Sequence, residues 1–411
     1  MRKRSSLPFA RVLPWCAAAL ALSAANIAQA NSPWRIDGVA SGARVQAASP
    51  AASSAVRVAV ALDVLEPNSP DLRLRLTDGA IVDAKWVSTD MRGPENFSWS
   101  GFVDGDPEQQ VVLTRVGHFV SAYLSVRQGV YELRSDREGY LLMKLEADRF
   151  PECGGAVTVD DLQTPESDAA PGAVPAGAAN LVDVLIVFSP GTTTQLGGQA
   201  PAQTFAQAAV DSANQAFVNS QMVTRFRLAG VRFTTRSDSG SSSTDLSWLR
   251  NDVEVAGWRN AVGADLVSMI SEFSDSCGLG YLMSTPAGTG FAASAFQVSA
   301  RSCAIGNLTY AHEHGHNMGF QHNPENGSGA PFAYAYGHYI NGSYRTVMSY
   351  SNSCTSGCTR RPYFSNPNVN YLGVATGVAD QRDNARAGNQ TAAVVALFRN
   401  PVSPVFANGF E

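Results

Sequence analysis

Charge is scarce in this sequence: 16% of its 411 residues are Asp, Glu, Lys or Arg, and no basic block runs through it. A protein that tracks a phosphate backbone needs such a block, so nucleic acid is excluded as a partner. Lysine is almost missing, and beyond residue 180 every basic residue is arginine. No apolar run reaches the roughly 20 residues of a membrane-spanning helix, which leaves no membrane anchor. Low charge does not mean disorder here, because 45% of the residues are apolar, enough to bury one or two ordinary cores.

What is present begins with an export signal. Arg2, Lys3, Arg4 and Arg11 precede an apolar run over 12–25, and Ala28-Gln29-Ala30 supplies the small-x-small pattern of signal cleavage. Residues 1–30 are read as a removed signal peptide, and the destination as secreted, extracellular or periplasmic. Without its four positive charges the formal net charge moves from −5 to −9. An oxidising destination favours cysteine pairing. Cys16 leaves with the signal, so Cys277, Cys303, Cys354 and Cys358 can form two bridges while Cys153 stands alone. Cys277 with Cys303 and Cys354 with Cys358 is the expected pairing, and four cysteines allow two other connectivities.

Short alternating runs such as Leu72-Arg-Leu-Arg-Leu76 and Gln110-Val-Val-Leu-Thr114 predict an antiparallel β-rich unit within 31–153. Residues 154–179, rich in Ala, Pro, Gly and Asp without periodicity, read as an exposed linker. A mixed α/β domain then spans 180–400. Its strands are expected at 181–188, 225–235, 265–270 and, as a shorter edge strand, 292–299. Helices are expected at 202–221, 244–261 and 380–399, and 401–411 is a tail.

The chemistry lies in His312-Glu313-His314-Gly315-His316, followed by Gly319 and His322. Histidines four apart share one helical face and can reach one zinc ion. Leu308, Ala311, Gly315 and Met318 form the neighbouring apolar stripe that presses the helix onto the core. Gly319 lets the chain turn back so that His322 becomes the third ligand. Three neutral ligands leave one open position for a water whose proton Glu313, beside the metal but not on it, can take as general base. His314 points away from its neighbours and is expected to face solvent. His338 and His118 read as structural residues.

This pattern resembles the metzincin clan of zinc peptidases, and within it the bacterial reprolysin-like (adamalysin-like) proteins. Thr346-Val-Met348-Ser-Tyr350 is similar to the clan's Met-turn, with Met348 as an apolar floor under the metal and Tyr350 as a candidate for steadying the transition state. Tyr363-Phe-Ser-Asn-Pro367 and Asp383-Asn-Ala-Arg386 resemble the closing part of such domains. Asn323 departs from the family, which usually has Asp after the third histidine. The likeness covers roughly 180–400 and implies an α/β (α+β) catalytic domain, with a mixed, mostly parallel sheet, an antiparallel edge strand and an active-site helix, behind a β-rich pro-domain. Phe150-Pro-Glu-Cys153-Gly-Gly155 resembles a cysteine switch, in which a thiolate occupies the open metal position until the linker is cut.

The resulting expectation is a secreted, monomeric zinc metalloendopeptidase made as an inactive precursor, with one catalytic zinc, protein or peptide substrates and its own pro-domain as inhibitor. No calcium loop is recognisable. Two other readings use the same sequence: a secreted binding or adhesion protein with a structural zinc, or an amidase acting on cell-wall peptides. A structural zinc site closes with four protein ligands and has no use for an acid beside it, which weighs for catalysis.

Overall fold

The computed structural model describes residues 35–38, 49–62, 65–159 and 181–400. The expected signal at 1–30, most of the expected linker and the tail at 401–411 lie outside the described residues. Nine strands close into a barrel: β1 (Arg35–Gly38), β2 (Ala52–Val60), β3 (Asp71–Arg75), β4 (Ile81–Gly93), β5 (Asn96–Val103), β6 (Gln110–Val116), β7 (Phe119–Val126), β8 (Gly129–Asp136) and β9 (Gly139–Leu145). Neighbours from β3 to β9 pair antiparallel, β2 adds to β9, and β1 closes the ring between β2 and β3. Leu72, Leu74, Phe97, Trp99, Leu113, Leu124, Leu133 and Leu142 share one core. These large apolar side chains are each worth about 1.5–3 kcal/mol when fully buried.

Strand alternation fades where the barrel docks. Every residue of β6 is buried, because one face looks into the barrel and the other meets helix α2 (Gln199–Asn219), which follows the short α1 (Pro190–Gln195). Helix α2 is buried nearly all round for the same reason: it lies between the barrel and a second sheet. On α2, Asp211 accepts hydrogen bonds from Ser98 and Thr114 of the barrel, and Gln110 exchanges amide hydrogen bonds with Asn219.

The second sheet has strand order β10-β14-β15-β13-β11-β12, from β10 (Ala156–Thr158), β11 (Leu181–Phe188), β12 (Arg225–Phe233), β13 (Leu266–Ser271), β14 (Gly278–Leu282) and β15 (Phe296–Ala300). Strands β12, β11, β13 and β15 run parallel, and β14 is antiparallel to β15. The sheet is mixed, as expected, but the antiparallel strand is not the one the sequence pointed to. Residues 290–294 form a 3-10 turn, and β15 sits inside the sheet beside β13. The antiparallel strand is Gly-Leu-Gly-Tyr-Leu, whose two glycines hid it. It would be the edge were it not covered by β10, three residues from the stretch read as linker.

The helix expected at 244–261 is two, α3 (Ser242–Asn251) and α4 (Val253–Val262). Asp252 breaks it by taking an extended conformation and accepting from the backbone N–H groups of Glu254 and Val255, an N-cap that restarts the helix. The metal-motif helix α5 is Thr309–Asn317 and the last helix α6 is Asn384–Val395, capped by Asp383. Disulfides join Cys277 to Cys303 and Cys354 to Cys358. The first ties β14 to the loop that enters α5.

Candidate metal centre

Helix α5 begins after Leu308, a buried residue held at φ 55°, and its first amides bond back to Cys303 and Ala304. It ends at Gly319, whose φ of 87° reverses the chain; a Cβ there would stand 2.8 Å from Pro331. Between these stops His312 and His316 are one turn apart, and the reversal delivers His322. Their Nε2 atoms converge, His322 lying 3.2 Å from His312 and 3.0 Å from His316.

Two backbone carbonyls decide the tautomers. His312 Nδ1 donates to Val347 O at 2.8 Å and His316 Nδ1 to Phe320 O at 2.8 Å, leaving the Nε2 lone pairs facing inward. Burial holds all three imidazoles neutral, lowering His316 to about 4 and His312 and His322 well below the ordinary histidine value. Converging lone pairs at this separation repel unless a cation lies among them. Nitrogens about 2.0–2.1 Å from a zinc ion in a tetrahedron lie roughly 3.3 Å apart, so the donor set fits that ion. Cys153 completes the cluster: its Sγ and the three histidine nitrogens lie within 4.8 Å of one another.

Glu313 is fully buried, and neither carboxyl oxygen has a hydrogen-bond partner. It lies against β14, where a Cβ on Gly278 would stand 2.6 Å from Glu313 Oε1. That glycine makes the room. Burial pushes the Glu313 carboxyl up to about 8, opposed by the nearby Cys153 thiol and the charge of Arg360. Burial, with the charge of Glu313, drives the Cys153 thiol well above its usual range.

Met348 is buried beneath the helix, and a Cβ on Gly315 would meet its Sδ at 2.5 Å, so the helix rests on this methionine through a glycine. The Tyr350 ring lies tilted against that of His322, centroids 4.0 Å apart, and its hydroxyl donates to Cys153 O at 2.9 Å. Asn323 accepts from Tyr350 N at 3.0 Å and donates to Glu325, Asn326 and Ser353. The amide both accepts and donates at once, which an aspartate could not do.

Residues 178–365 match Reprolysin_5, metallo-peptidase family M12. A peptidyl-Asp metalloendopeptidase of Xanthomonas campestris pv. campestris is 30% identical over 85% of this chain and 87% of its own. One of Stenotrophomonas maltophilia is 32% identical over 72% of each. The chain belongs to metallo-peptidase family M12. It is thus a reprolysin-like zinc metalloendopeptidase, and the family's zinc dependence agrees with the donor set above.

One expectation about this M12 domain fails. His314 does point away from the metal cluster, but into the core: it is 0% exposed, packed edge-on against Tyr310 and Phe226. The far side of α5 faces α2 and the sheet rather than solvent, so all nine helix residues are buried. Asn317 fixes the tautomer. Its Nδ2 donates to Tyr281 O and Phe296 O, so its Oδ1 accepts from His314 Nδ1 at 3.0 Å. Changing His314 to Ala empties this packed position and is expected to cost about 2–4 kcal/mol in a denaturant titration.

His338 is buried, outside the cluster, and its carbonyl accepts from Thr346 and Ser349 of the Met348 loop. His118 is exposed in a hairpin. Burial lowers His338 to about 4, against about 6.5 unfolded. The unfolded chain then binds the proton first as pH falls. His338 therefore contributes stability that is present above pH 6.5 and lost between 6.5 and 4, with a slope of at most about 1.4 kcal/mol per pH unit. Thermal melts from pH 7.5 to 5 should fall more steeply for the unsubstituted chain than for His338→Gln.

The segment around Cys153 holds residues the sequence reading passed over. Glu152 O accepts from Cys277 N at 3.0 Å, and Gly154 N donates to Gly278 O at 2.8 Å. Strand β10 continues this contact along β14 in parallel register. The Glu152 carboxylate accepts from Ser351 N at 2.7 Å and from the Ser351 hydroxyl. Its place next to Cys153 was the available signal.

Proposed function

We propose that the chain is the latent precursor of a secreted zinc endopeptidase that cleaves polypeptides at aspartyl residues. The observation that carries this reading is the convergence of three histidine Nε2 atoms and one thiol beside a buried, unpartnered carboxyl. The aspartyl preference follows the relatives' names. His312, His316 and His322 would hold the ion, and Cys153 would fill its fourth position in the precursor. Zinc, when bound, lowers the pKa of a water towards about 7 and polarises the scissile carbonyl.

Glu313 moves the proton: a carboxylate oxygen accepts it and returns it to the departing amine nitrogen. In the precursor, Glu313 is buried behind the segment around Cys153, out of reach of a substrate. Departure of the segment around Cys153 opens the carboxyl to water and substrate. The same departure frees the Tyr350 hydroxyl from Cys153 O to donate to a substrate carbonyl oxygen. Residues 31–153, the barrel and the segment that ends at Cys153, act as the inhibitory pro-domain, and the linker at 154–179 is where the precursor is cut.

Cleavage of a broad protein substrate tests the reading directly. The linker-cut chain should lose activity by at least a hundredfold in a chelator and regain it with zinc, with new N-termini at Asp. A chain that holds zinc and cleaves nothing would return the site to a structural role.

A further inference from the structure

Two buried cations stand beside the metal cluster without an anion of their own. Arg345 is 1% exposed and Arg360 4%, and neither forms an ion pair among the described residues. Arg345 donates to Ser349 O at 2.6 Å; Arg360 donates to Ser349 O at 3.3 Å and to Asn307 O at 2.9 Å. The Nε of each has no hydrogen-bond partner. A buried guanidinium without a counter-charge is costly, so such a pair marks a place built for an anion. Glu152 is the anion brought nearest to them by the hydrogen bonds of this loop: both arginines donate to Ser349 O, and two residues on Ser351 holds the Glu152 carboxylate. Its carboxylate is gripped by Ser351 N and the Ser351 hydroxyl, both on the loop that follows Met348.

Glu152 belongs to the segment that must leave. Once it does, the pocket keeps two buried positive charges and two hydrogen-bond donors, one residue away from where Cys153 met the metal ligands. We infer that Ser351, Arg345 and Arg360 form the pocket that selects an acidic substrate side chain, and that Glu152 occupies it as a built-in mimic of that side chain. Ser351 makes the direct contacts, and the two arginines supply the field that rejects a neutral isostere. The inference rests on the endopeptidase reading above for its substrate, but not for its pocket.

Two measurements separate these. In the full-length precursor, Glu152→Gln keeps the shape and the hydrogen-bond acceptor and removes only the charge. Labelling of Cys153 by an aromatic disulfide should then run at least tenfold faster than in the unsubstituted precursor. In the linker-cut chain, the kcat/KM ratio for peptides with Asp against Asn at the scissile bond should fall at least tenfold in Ser351→Ala and in Arg360→Met. Arg360→Lys, which keeps the charge, should hold the ratio within threefold and so guards against a merely misfolded variant. Unchanged labelling in Glu152→Gln overturns the pocket. Faster labelling with an unchanged ratio in every variant makes Glu152 a latch alone and also overturns it. If the unsubstituted chain cleaves no peptide, the endopeptidase reading falls, and the labelling rate alone then decides for or against the anion pocket.

Discussion

Glu313→Gln in the linker-cut chain is expected to lower kcat/KM by about 10²–10⁴-fold, the range a positioned general base contributes, while zinc stays bound at one ion per chain. Retention of metal follows from how the ligands are held. His312 and His316 are oriented by Val347 O and Phe320 O, and Met348 supports the helix through Gly315; none of these contacts involves the glutamate. Glutamine has nearly the volume of glutamate and meets the same close wall at Gly278, so packing is kept. Only the proton acceptor is lost. Metal analysis after dialysis, beside peptide hydrolysis, reads both arms. Loss of zinc together with activity would make Glu313 a support of the site, and full activity would remove it as the base. Gly278→Ala should disturb the same carboxyl from the other side, because the new Cβ falls within 2.6 Å of it.

The difference between what the sequence disclosed and what it withheld has a physical pattern. His312, Glu313 and His316 were legible because a helix has a fixed pitch, four residues to about one turn, and Gly319 and His322 because a glycine just past the helix allows the reversal that returns the chain. The strands of the barrel were legible by alternation, β6 among them through Gln110–Thr114, but not that α2 would bury the second face of that strand. His314 was misplaced because helical spacing gives a direction but not what lies in that direction; here it is Tyr310 and Phe226. Strand β14 was missed because its glycines, required by the side chain of Glu313, are residues that strand propensity counts against. Glu152, Ser351, Arg345 and Arg360 lie up to about two hundred residues apart, and only the fold brings them together, through Ser351 on Glu152 and both arginines on Ser349 O. Spacing rules reach one element at a time, and this pocket needs three.

Cys153→Ala in the uncut precursor should raise cleavage of a short peptide at least tenfold above the unsubstituted precursor, yet leave it below the linker-cut chain. The thiol is one of several holds. On the proposed reading its loss opens the fourth metal position, but Tyr350 still donates to the carbonyl of residue 153, Ser351 still grips Glu152, and β10 still lies along β14. The barrel behind them also stays docked, through Asp211 with Ser98 and Thr114, Gln110 with Asn219, and Glu132 with the Gly306 amide. Substitution of the thiol therefore lets the strap lift in a fraction of molecules instead of releasing it. The population that lifts sets the activity, and a small peptide samples it better than a folded protein can. A denaturing gel must show the precursor intact throughout the assay, since a trace of cut chain would mimic the effect. Cys153→Ala together with Glu152→Gln should exceed either alone, because the two remove separate anchors of one strap. A Cys153→Ala precursor as inactive as its parent would place latency in the strand pairing and in Glu152, with the thiol a bystander.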